Sequence, residues 1–344
     1  MAFRDTGQAS NPPGSSLIEC VLVSRVGSKL AGWFVLTTVF KSNMTAQHAL
    51  GPDFAIVGNI VRTNGHNGCG GAENAGVKLH GLEGTFERNV ITQNTNGVPA
   101  WFDSGAHNAR ISRNVFMVPD GMQSGGVAIE LTNGPVLFDN NLVLGGEKSG
   151  AGSGIGSQDA ANVTIAHNLV SGFYDGPTVS LGGLTGRSVG GKTGSLRSWW
   201  VGANVLLTTG RTPWIEMHHE KHSGSYELVY NETATHNVVA GWPGQYPQNA
   251  TLKIDVSSNH NSTNGSFSAV IDRDAMVLTL QRSSEVSSGC VPEGPGGDAV
   301  FVGSGRSVSA CMAGPLATLP ADSAVNISLW AAVNEGVVQR LPPS

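Results

Sequence analysis

The sequence has few charged residues, few cysteines and no long apolar run. Charged residues make up 13% of the 344 residues, about half of the usual share, and the formal net charge is -5. This balance gives no electrostatic reason to expect nucleic acid or an anionic membrane surface as a partner. The four cysteines match no zinc-binding spacing. The sequence therefore predicts no metal and no cofactor.

The longest uncharged apolar run near the N-terminus covers residues 30–40, which is shorter than the roughly 20 residues that a membrane helix needs. Arg25 and Lys29 precede it and small residues follow, so it is similar to the apolar region of a displaced signal peptide, although an ordinary buried strand is the alternative. Seven Asn-x-Ser/Thr sites permit glycosylation. We therefore expect a secreted glycoprotein. Cys290 and Cys311 either form a local disulfide or are free thiols.

Glycine and asparagine are abundant, and asparagine recurs at a regular interval. Seven strand-like segments of alternating apolar residues each end in Asn and two further apolar residues. The asparagines are spaced by 30, 25, 27, 27, 36 and 33 residues; they are Asn59, Asn89, Asn114, Asn141, Asn168, Asn204 and Asn237. Apolar residues at helical spacing are absent. The repeat predicts an all-β right-handed parallel β-helix with an internal Asn ladder, since Asn bonds neighbouring coils and tolerates left-handed turns.

The repeat also predicts the domain organisation. Residues 51–245 are predicted to form the β-helix, and residues 1–50 show no clear period. The two long Asn spacings leave room for surface insertions near residues 182–192 and 211–226. Residues 246–338 alternate like strands without the Asn mark. They predict a smaller β-rich region, either a small sandwich or the final coils.

Two carboxylates occupy the same place in successive repeats. Asp103, in Pro99-Ala-Trp-Phe-Asp103, lies 11 residues before Asn114, and Glu130 lies 11 residues before Asn141. The same count back from the neighbouring asparagines gives a column of Lys78, Asp103, Glu130 and Ser157. Adjacent strands are about 4.7–4.9 Å apart. The two carboxyl groups are therefore predicted to lie about 5 Å apart.

That separation is typical of one catalytic mechanism. Retaining glycosidases hold two carboxyl groups about 5–5.5 Å apart, whereas inverting enzymes need about 6.5–9.5 Å. Lys78 beneath Asp103 would favour the ionised form, which suits a nucleophile. Glu130, between a carboxylate and the neutral Ser157, would have a raised pKa, which suits an acid/base. A solvated pair or a calcium-binding pair is the alternative.

The residues around the pair favour a sugar site. Trp101 offers an aromatic face for stacking, and Asn133 lies in the turn after Glu130. Lys78 and His80, two residues apart, share one strand face.

The segments Trp101-Phe-Asp103, Arg110-Ile-Ser-Arg-Asn114-Val-Phe and Ile129-Glu130-Leu-Thr-Asn-Gly-Pro resemble glycoside hydrolase family 120. This resemblance implies a β-xylosidase on a right-handed parallel β-helix, with Asp103 as nucleophile and Glu130 as general acid/base, and a chain shortened at its N-terminus. It departs from the family at Ser104, where an aromatic residue is usual. It further implies sugar contacts by residues upstream of Lys78 and in a His-rich loop, namely Glu73, Trp214, His218 and His219.

The predicted function is hydrolysis of β-xylosides or xylo-oligosaccharides with retention, and the predicted partner is a xylo-oligosaccharide or another plant polysaccharide fragment. Two alternatives stay open. A β-helix polysaccharide lyase would use Lys78, Arg110 and Asp139 as its base and cation-binding groups. A non-catalytic carbohydrate-binding β-helix would bind glycans without turnover.

Overall fold

The Asn-punctuated segments fold into short strands that wind around one axis. In the computed structural model, the described residues are 3–4, 20–23, 33–34, 39–40, 43–46, 54–62, 75–93, 97–122, 124–146, 152–174, 176–182, 187–189, 192–193, 197–208, 214–218, 232–235, 237–240, 254–255, 260–261, 267–282, 323–330 and 332. Consecutive strands fall into three different sheets, and strands of successive coils pair in parallel. The predicted all-β parallel β-helix is confirmed.

Each of the three sheets has nine strands among the described residues. The first sheet contains Phe3–Arg4, Cys20–Val23, Asn43–Ala46, Ala75–His80, Val98–Asp103, Val127–Glu130, Ile155–Gln158, Val179–Gly182 and Ile215–His218. The second contains Trp33–Phe34, Phe54–Val57, Gly84–Glu87, Ala109–Ser112, Val136–Asp139, Ala161–Ala166, Arg197–Gly202, Glu232–Thr235 and Ile254–Asp255. The third contains Val39–Phe40, Ile60–Arg62, Val90–Thr92, Val115–Met117, Leu142–Leu144, Leu169–Phe173, Val205–Thr208, Val238–Ala240 and His260–Asn261.

The predicted Asn ladder runs along the corner between the second and third sheets. The Nδ2 group of Asn114 donates to Oδ1 of Asn141 at 2.9 Å and to the carbonyl of Phe86 at 3.0 Å. The backbone N–H of Asn114 donates to the same Oδ1 at 2.9 Å. The other ladder residues repeat this pattern. The amides of the inner ladder residues thereby use both donors and both lone pairs inside the protein, which is what full burial requires.

The left-handed backbone conformation falls one residue earlier than expected. Positive φ values belong to the residue before each ladder asparagine from Asn59 to Asn204, for example 57° at Arg113 and 55° at Ala203. The ladder asparagines themselves do not have positive φ. Their tolerance of left-handed turns is therefore not used at these positions: their amides bond the neighbouring coils, and the preceding residue turns the chain.

Inward-facing side chains of the strands fill the interior of the coils. The aromatic rings of Phe86, Phe116 and Phe138 stack between coils, with centroid distances of 6.3 and 5.9 Å. Phe102 meets Phe86 edge to face at 5.3 Å. All four side chains are fully buried. This narrow aromatic and aliphatic core leaves the outward-facing residues free to differ between sheets.

A three-stranded antiparallel sheet, formed by Phe267–Asp272, Val277–Arg282 and Ser323–Ser328, lies on the outer face of the third sheet. Arg273 fastens its first turn, since its guanidinium donates to the carbonyl oxygens of Val118 and Gly145 and pairs with Asp120 at 3.0 Å. Before it, Ile254–Asp255 and His260–Asn261 continue the second and third sheets. The choice between a small sandwich and final coils for residues 246–338 stays a prediction.

Strands of the three sheets occur on both sides of the predicted β-helix limits of 51 and 245, and these limits stay a prediction. The insertion near residue 182 contains a two-stranded hairpin, Ser188–Val189 with Lys192–Thr193. Most of the second insertion, together with Cys69, Cys290 and Cys311, lies outside the described residues. Within the described part of the chain, no helix has the length and apolar character needed to cross a membrane.

Candidate active site

Parallel pairing in the first sheet brings the two carboxylates next to each other. Ala100 pairs with Val127 and Phe102 with Ile129, so the next residues, Asp103 and Glu130, follow in the same register. Inward and outward residues alternate along a strand, and Phe102 and Ile129 belong to the core. Both carboxylates therefore lie on the outer face, where each residue is only 7% exposed.

The two ends of the predicted column differ from the structure. Asp103 pairs with His80, and Lys78 pairs with Trp101 instead. On the other side Glu130 pairs with Gln158, and Ser157 pairs with Ile129, so the Ser157 hydroxyl is directed inward. The observed column is His80, Asp103, Glu130 and Gln158. Lys78 nevertheless reaches Asp103, because its long side chain extends along the strand.

Unequal turns explain this shift. The residues Gly84, Ala109, Val136 and Val163 occupy equivalent positions in the second sheet. Three residues separate His80 from Gly84, five separate Asp103 from Ala109 and Glu130 from Val136, and four separate Gln158 from Val163. A fixed count back from the Asn ladder is therefore valid only for the two coils whose turns are equal, and these are the coils that carry the carboxylates.

Asp103 is held through both of its oxygens. The Lys78 ammonium lies 3.0 Å from Oδ2, and Nε2 of His80 lies 3.9 Å from the same oxygen. Ser104 donates its hydroxyl to Oδ1 at 2.9 Å. Lys78 is 1% exposed, and its ammonium also lies 3.4 Å from the centroid of the Trp101 ring. These contacts hold the carboxylate in one orientation.

The surroundings of Glu130 favour its protonated form. Burial raises the pKa of Glu130, and the neighbouring charge of Asp103 acts in the same direction. Arg187 opposes this shift by hydrogen bonding and by charge, and Lys78 opposes it by charge. Oε1 of Glu130 lies 2.5 Å from the Arg187 guanidinium. The net upward shift of the pKa means that Glu130 keeps its proton to a higher pH than an ordinary glutamate.

Backbone contacts between the two following turns fix the carboxylates relative to each other. The amides of Ser104 and Gly105 donate to the carbonyl oxygens of Glu130 and Leu131 at 3.2 and 2.9 Å. The turn after Glu130 also approaches the next coil closely. A side chain at Gly134, where φ is 60°, would meet the carbonyl oxygen of residue 162 at 2.4 Å. The site is thus built on paired backbone rather than on free loops.

A shallow surface adjoins the carboxylates on the face that Trp101 shares with them. Trp101 pairs with Lys78 on one side and with Ala128 on the other, and Ala128 pairs with Gly156. Along this row the side chains become small after Trp101. A Cβ atom at Gly156 would lie 2.7 Å from the hydroxyl oxygen of Ser153. One side of the indole is occupied by the Lys78 ammonium. The small residues lie on its other side.

Only some of the remaining predicted site residues lie near the carboxylates. Asn133 lies in the turn after Glu130, where its carbonyl accepts a bond from Asn162 at 2.8 Å. Trp214 is 2% exposed within the hydrophobic core, three strands along the sheet from Glu130, so the structure does not bring its side chain to the carboxylates. His218 continues the row of Gln158 through its backbone pairing with Gly182. Glu73 and His219 lie outside the described residues.

Two site residues, Arg187 and Asp159, carried no signal in the sequence. Arg187 enters from the hairpin insertion, and Asp159 follows the strand of Gln158 in a turn. Neither falls at a repeat position that the Asn count marks.

The residues considered for a lyase are not assembled into one site. Lys78 belongs to the first sheet, whereas Arg110 and Asp139 form an ion pair of 2.8 Å on the second. The described residues contain no group of three or more His, Cys, Asp or Glu side chains with the geometry of a metal site.

Sequence comparisons with known proteins assign this chain to no family. No protein-family model matches the sequence, and no curated protein matches it. Among solved structures, a complex of XylC with xylose is similar, with a TM-score of 0.48 and 14% sequence identity. The similarity covers 84% of this chain and 50% of XylC, so this chain spans about half the length of that structure.

Proposed function

We propose that the protein is a retaining glycoside hydrolase that acts on β-xylosides or short xylo-oligosaccharides. The single observation that carries this proposal is the register of the first sheet, which sets Asp103 beside Glu130 one strand spacing apart. That spacing, about 4.7–4.9 Å, is close to the carboxyl separation of retaining enzymes and below that of inverting ones.

In the first step, a carboxylate oxygen of Asp103 attacks the anomeric carbon while Glu130 gives its proton to the leaving oxygen. The bond to the leaving sugar breaks, and a covalent ester to Asp103 forms. The ion pair with Lys78 and the hydroxyl of Ser104 suit this role, because they hold the nucleophile in a fixed orientation. The raised pKa of Glu130 suits a proton donor.

In the second step, Glu130 is a carboxylate and accepts a proton from water as the water attacks the anomeric carbon. The ester bond breaks, Asp103 is released, and the product keeps its original configuration. Because Glu130 gains a proton in this step, each turnover regenerates the acid.

The surroundings of the pair support a small, neutral sugar. Ala128 and Gly156 leave a low surface beside the Trp101 ring, where the apolar face of a pyranose can pack. Both carboxylates are 7% exposed, and we propose that a chain end of the substrate reaches them. The resemblance to glycoside hydrolase family 120 makes xylose the sugar that we propose.

The test uses an aryl β-xyloside and xylobiose, with the anomer of the first-formed product followed by ¹H NMR. We expect a β-anomeric product, and we expect Asp103→Asn and Glu130→Gln each to lower kcat/KM by at least about 10³-fold. Glu87→Gln is the matched control, because Glu87 is a half-buried glutamate paired with Arg113 on the second sheet. It should stay active.

The pH profile gives a second readout. Burial raises the pKa of Glu130, so its protonated form persists to higher pH than that of an exposed glutamate. The alkaline limb of kcat/KM should therefore lie above the usual glutamate range. An α-anomeric product, or full activity in either carboxylate variant, would contradict the proposal. Unsaturated uronate products would select the lyase, and glycan binding without turnover would select the non-catalytic protein.

A further inference from the structure

The hairpin after the strand Val179–Gly182 carries a cation to the edge of the site. Arg187 directly precedes the hairpin strand Ser188–Val189. Its Nη2 atom lies 2.5 Å from Oε1 of Glu130 and 3.1 Å from Oδ2 of Asp159. Its Nε atom donates to the same oxygen of Asp159, also at 3.1 Å. One guanidinium therefore joins two carboxylates that belong to neighbouring coils.

Asp159 has the properties of an anchor for this guanidinium. Its side chain is 0% exposed, whereas that of Arg187 is 40% exposed. Asp159 follows Gln158, the residue that pairs with Glu130, and its φ of 55° turns its side chain out of the strand row. A buried carboxylate needs a charged or hydrogen-bonding partner. Two of the guanidinium nitrogens meet Asp159, so this contact fixes the plane of the fork.

We propose that Arg187 is a positioning residue, which Asp159 orients and which in turn fixes Oε1 of Glu130 and stabilises the carboxylate form. This role rests on the proposed function. When Glu130 gives its proton to the leaving oxygen, the new negative charge forms against Arg187. When Glu130 then takes a proton from water, the same contact has kept its carboxylate in place. Oε2 is the oxygen that exchanges the proton.

The charges around Glu130 determine the direction of the expected change. Asp103 lies beside Glu130 in the register, Lys78 reaches the pair across Asp103, and neutral Gln158 lies on the other side. Nε2 of His80 lies 3.9 Å from Oδ2 of Asp103, the oxygen that Lys78 contacts. Asp159 lies behind the guanidinium. Without Arg187, the burial of Glu130 and the charge of Asp103 are opposed by Lys78 alone, so the pKa of Glu130 must rise.

The experiment measures this titration without relying on catalysis. Carboxyl absorption is followed by infrared difference spectroscopy across pH, with Glu130→Gln as the reference that identifies the Glu130 band. In Arg187→Met we expect the Glu130 transition to move to higher pH. In Arg187→Lys, which keeps the charge and loses the fork, we expect a smaller movement. Because Arg187→Met leaves Asp159 buried without this partner, the double variant Arg187→Met/Asp159→Asn provides a folded alternative.

Kinetics on the same variants give the second readout. We expect kcat of Arg187→Met to fall about 10- to 100-fold, with the alkaline limb of kcat/KM displaced upward. Arg113→Met is the matched control, since it removes a 3.1 Å pair with Glu87 outside the site, and it should change neither readout. An unchanged Glu130 transition in both Arg187→Met and the double variant overturns the proposal. A displaced transition in a protein that hydrolyses no glycoside supports the contact and rejects the proposed function.

Discussion

The outer faces of the first and third sheets share one backbone geometry and differ in chemistry. On the third sheet, apolar residues of successive coils form an unbroken seam, which includes Val115, Leu142 and Leu169. The antiparallel sheet covers this seam with Leu278 and Leu280. On the first sheet, the equivalent stacking produces a charged column. Parallel stacking in a β-helix therefore repeats one residue type along a face, and a candidate site arises where it places two carboxylates one strand apart.

The two faces also differ in whether a buried side chain needs a specific partner. Apolar side chains of the seam need no specific partner. Each charged group of the first sheet needs one, and Lys78, Asp103, Glu130 and Arg187 are linked in two ion pairs. The comparison predicts that single changes on the first sheet act through lost pairing, and that changes on the third act through lost packing.

The largest stability effect is expected at Lys78. Lys78→Met leaves the Asp103 carboxylate, 9% exposed, without the ammonium at 3.0 Å, which should cost about 3–5 kcal/mol of unfolding free energy. Urea denaturation measures this cost. Adding Asp103→Asn should recover part of it, since the uncompensated charge is then absent. A loss below about 1 kcal/mol in the single variant would show that this buried pair behaves like an exposed one.

A somewhat smaller effect is expected at Leu280, which is 1% exposed between the two sheets. Leu280→Ala should cost about 2–5 kcal/mol through the lost contacts and the remaining cavity. Hydrogen exchange should accelerate in residues 267–282 and stay slow in the strand Val127–Glu130. Val270→Ala, at a position that is 63% exposed, should change stability by less than about 0.5 kcal/mol. Equal acceleration in the first sheet would contradict an independent packing role.

The smallest effect is expected at Ser104, whose hydroxyl donates to Asp103 at 2.9 Å. Removal of one such bond corresponds to about 1 kcal/mol, or roughly a fivefold fall in kcat/KM. Ser104 has a φ of 50°, so Ser104→Gly keeps the turn while it removes the hydroxyl. Ser180→Ala, on the same outer face, is the control. An unchanged kcat/KM in Ser104→Gly would show that this hydroxyl does not contribute to activity.

The fold was predictable because it depends on a repeated residue. Asn89, Asn114 and Asn141 mark the corner of each coil, and their amides need one another to be buried. The placement of Asp103 beside Glu130 followed from the same count. The neighbours of the pair did not follow from it, because the segments between the first and second sheets after His80 and after Gln158 are shorter than those after Asp103 and Glu130.

Residues brought by insertions had no signal in the sequence. Arg187 belongs to a hairpin insertion, and its position depends on tertiary contacts. Asp159 is one of several turn residues with positive φ. Trp214 shows the converse: an aromatic residue in a loop with histidines suggested a sugar contact, whereas its side chain fills the core. Ser104, noted only as a departure from the family pattern, contacts the carboxylate directly.

The Asn ladder has a direction. From Asn59 to Asn204, each ladder side chain donates its amide N–H to the next ladder asparagine, so the dipoles of these amides point the same way along the axis. Hydrogen bonds in such a chain polarise one another, which strengthens the inner links more than the terminal ones. Asn114 and Asn141, which belong to the same coils as Asp103 and Glu130, are interior members of this chain. The two carboxylates are therefore carried by coils whose corner bonds are reinforced from both sides.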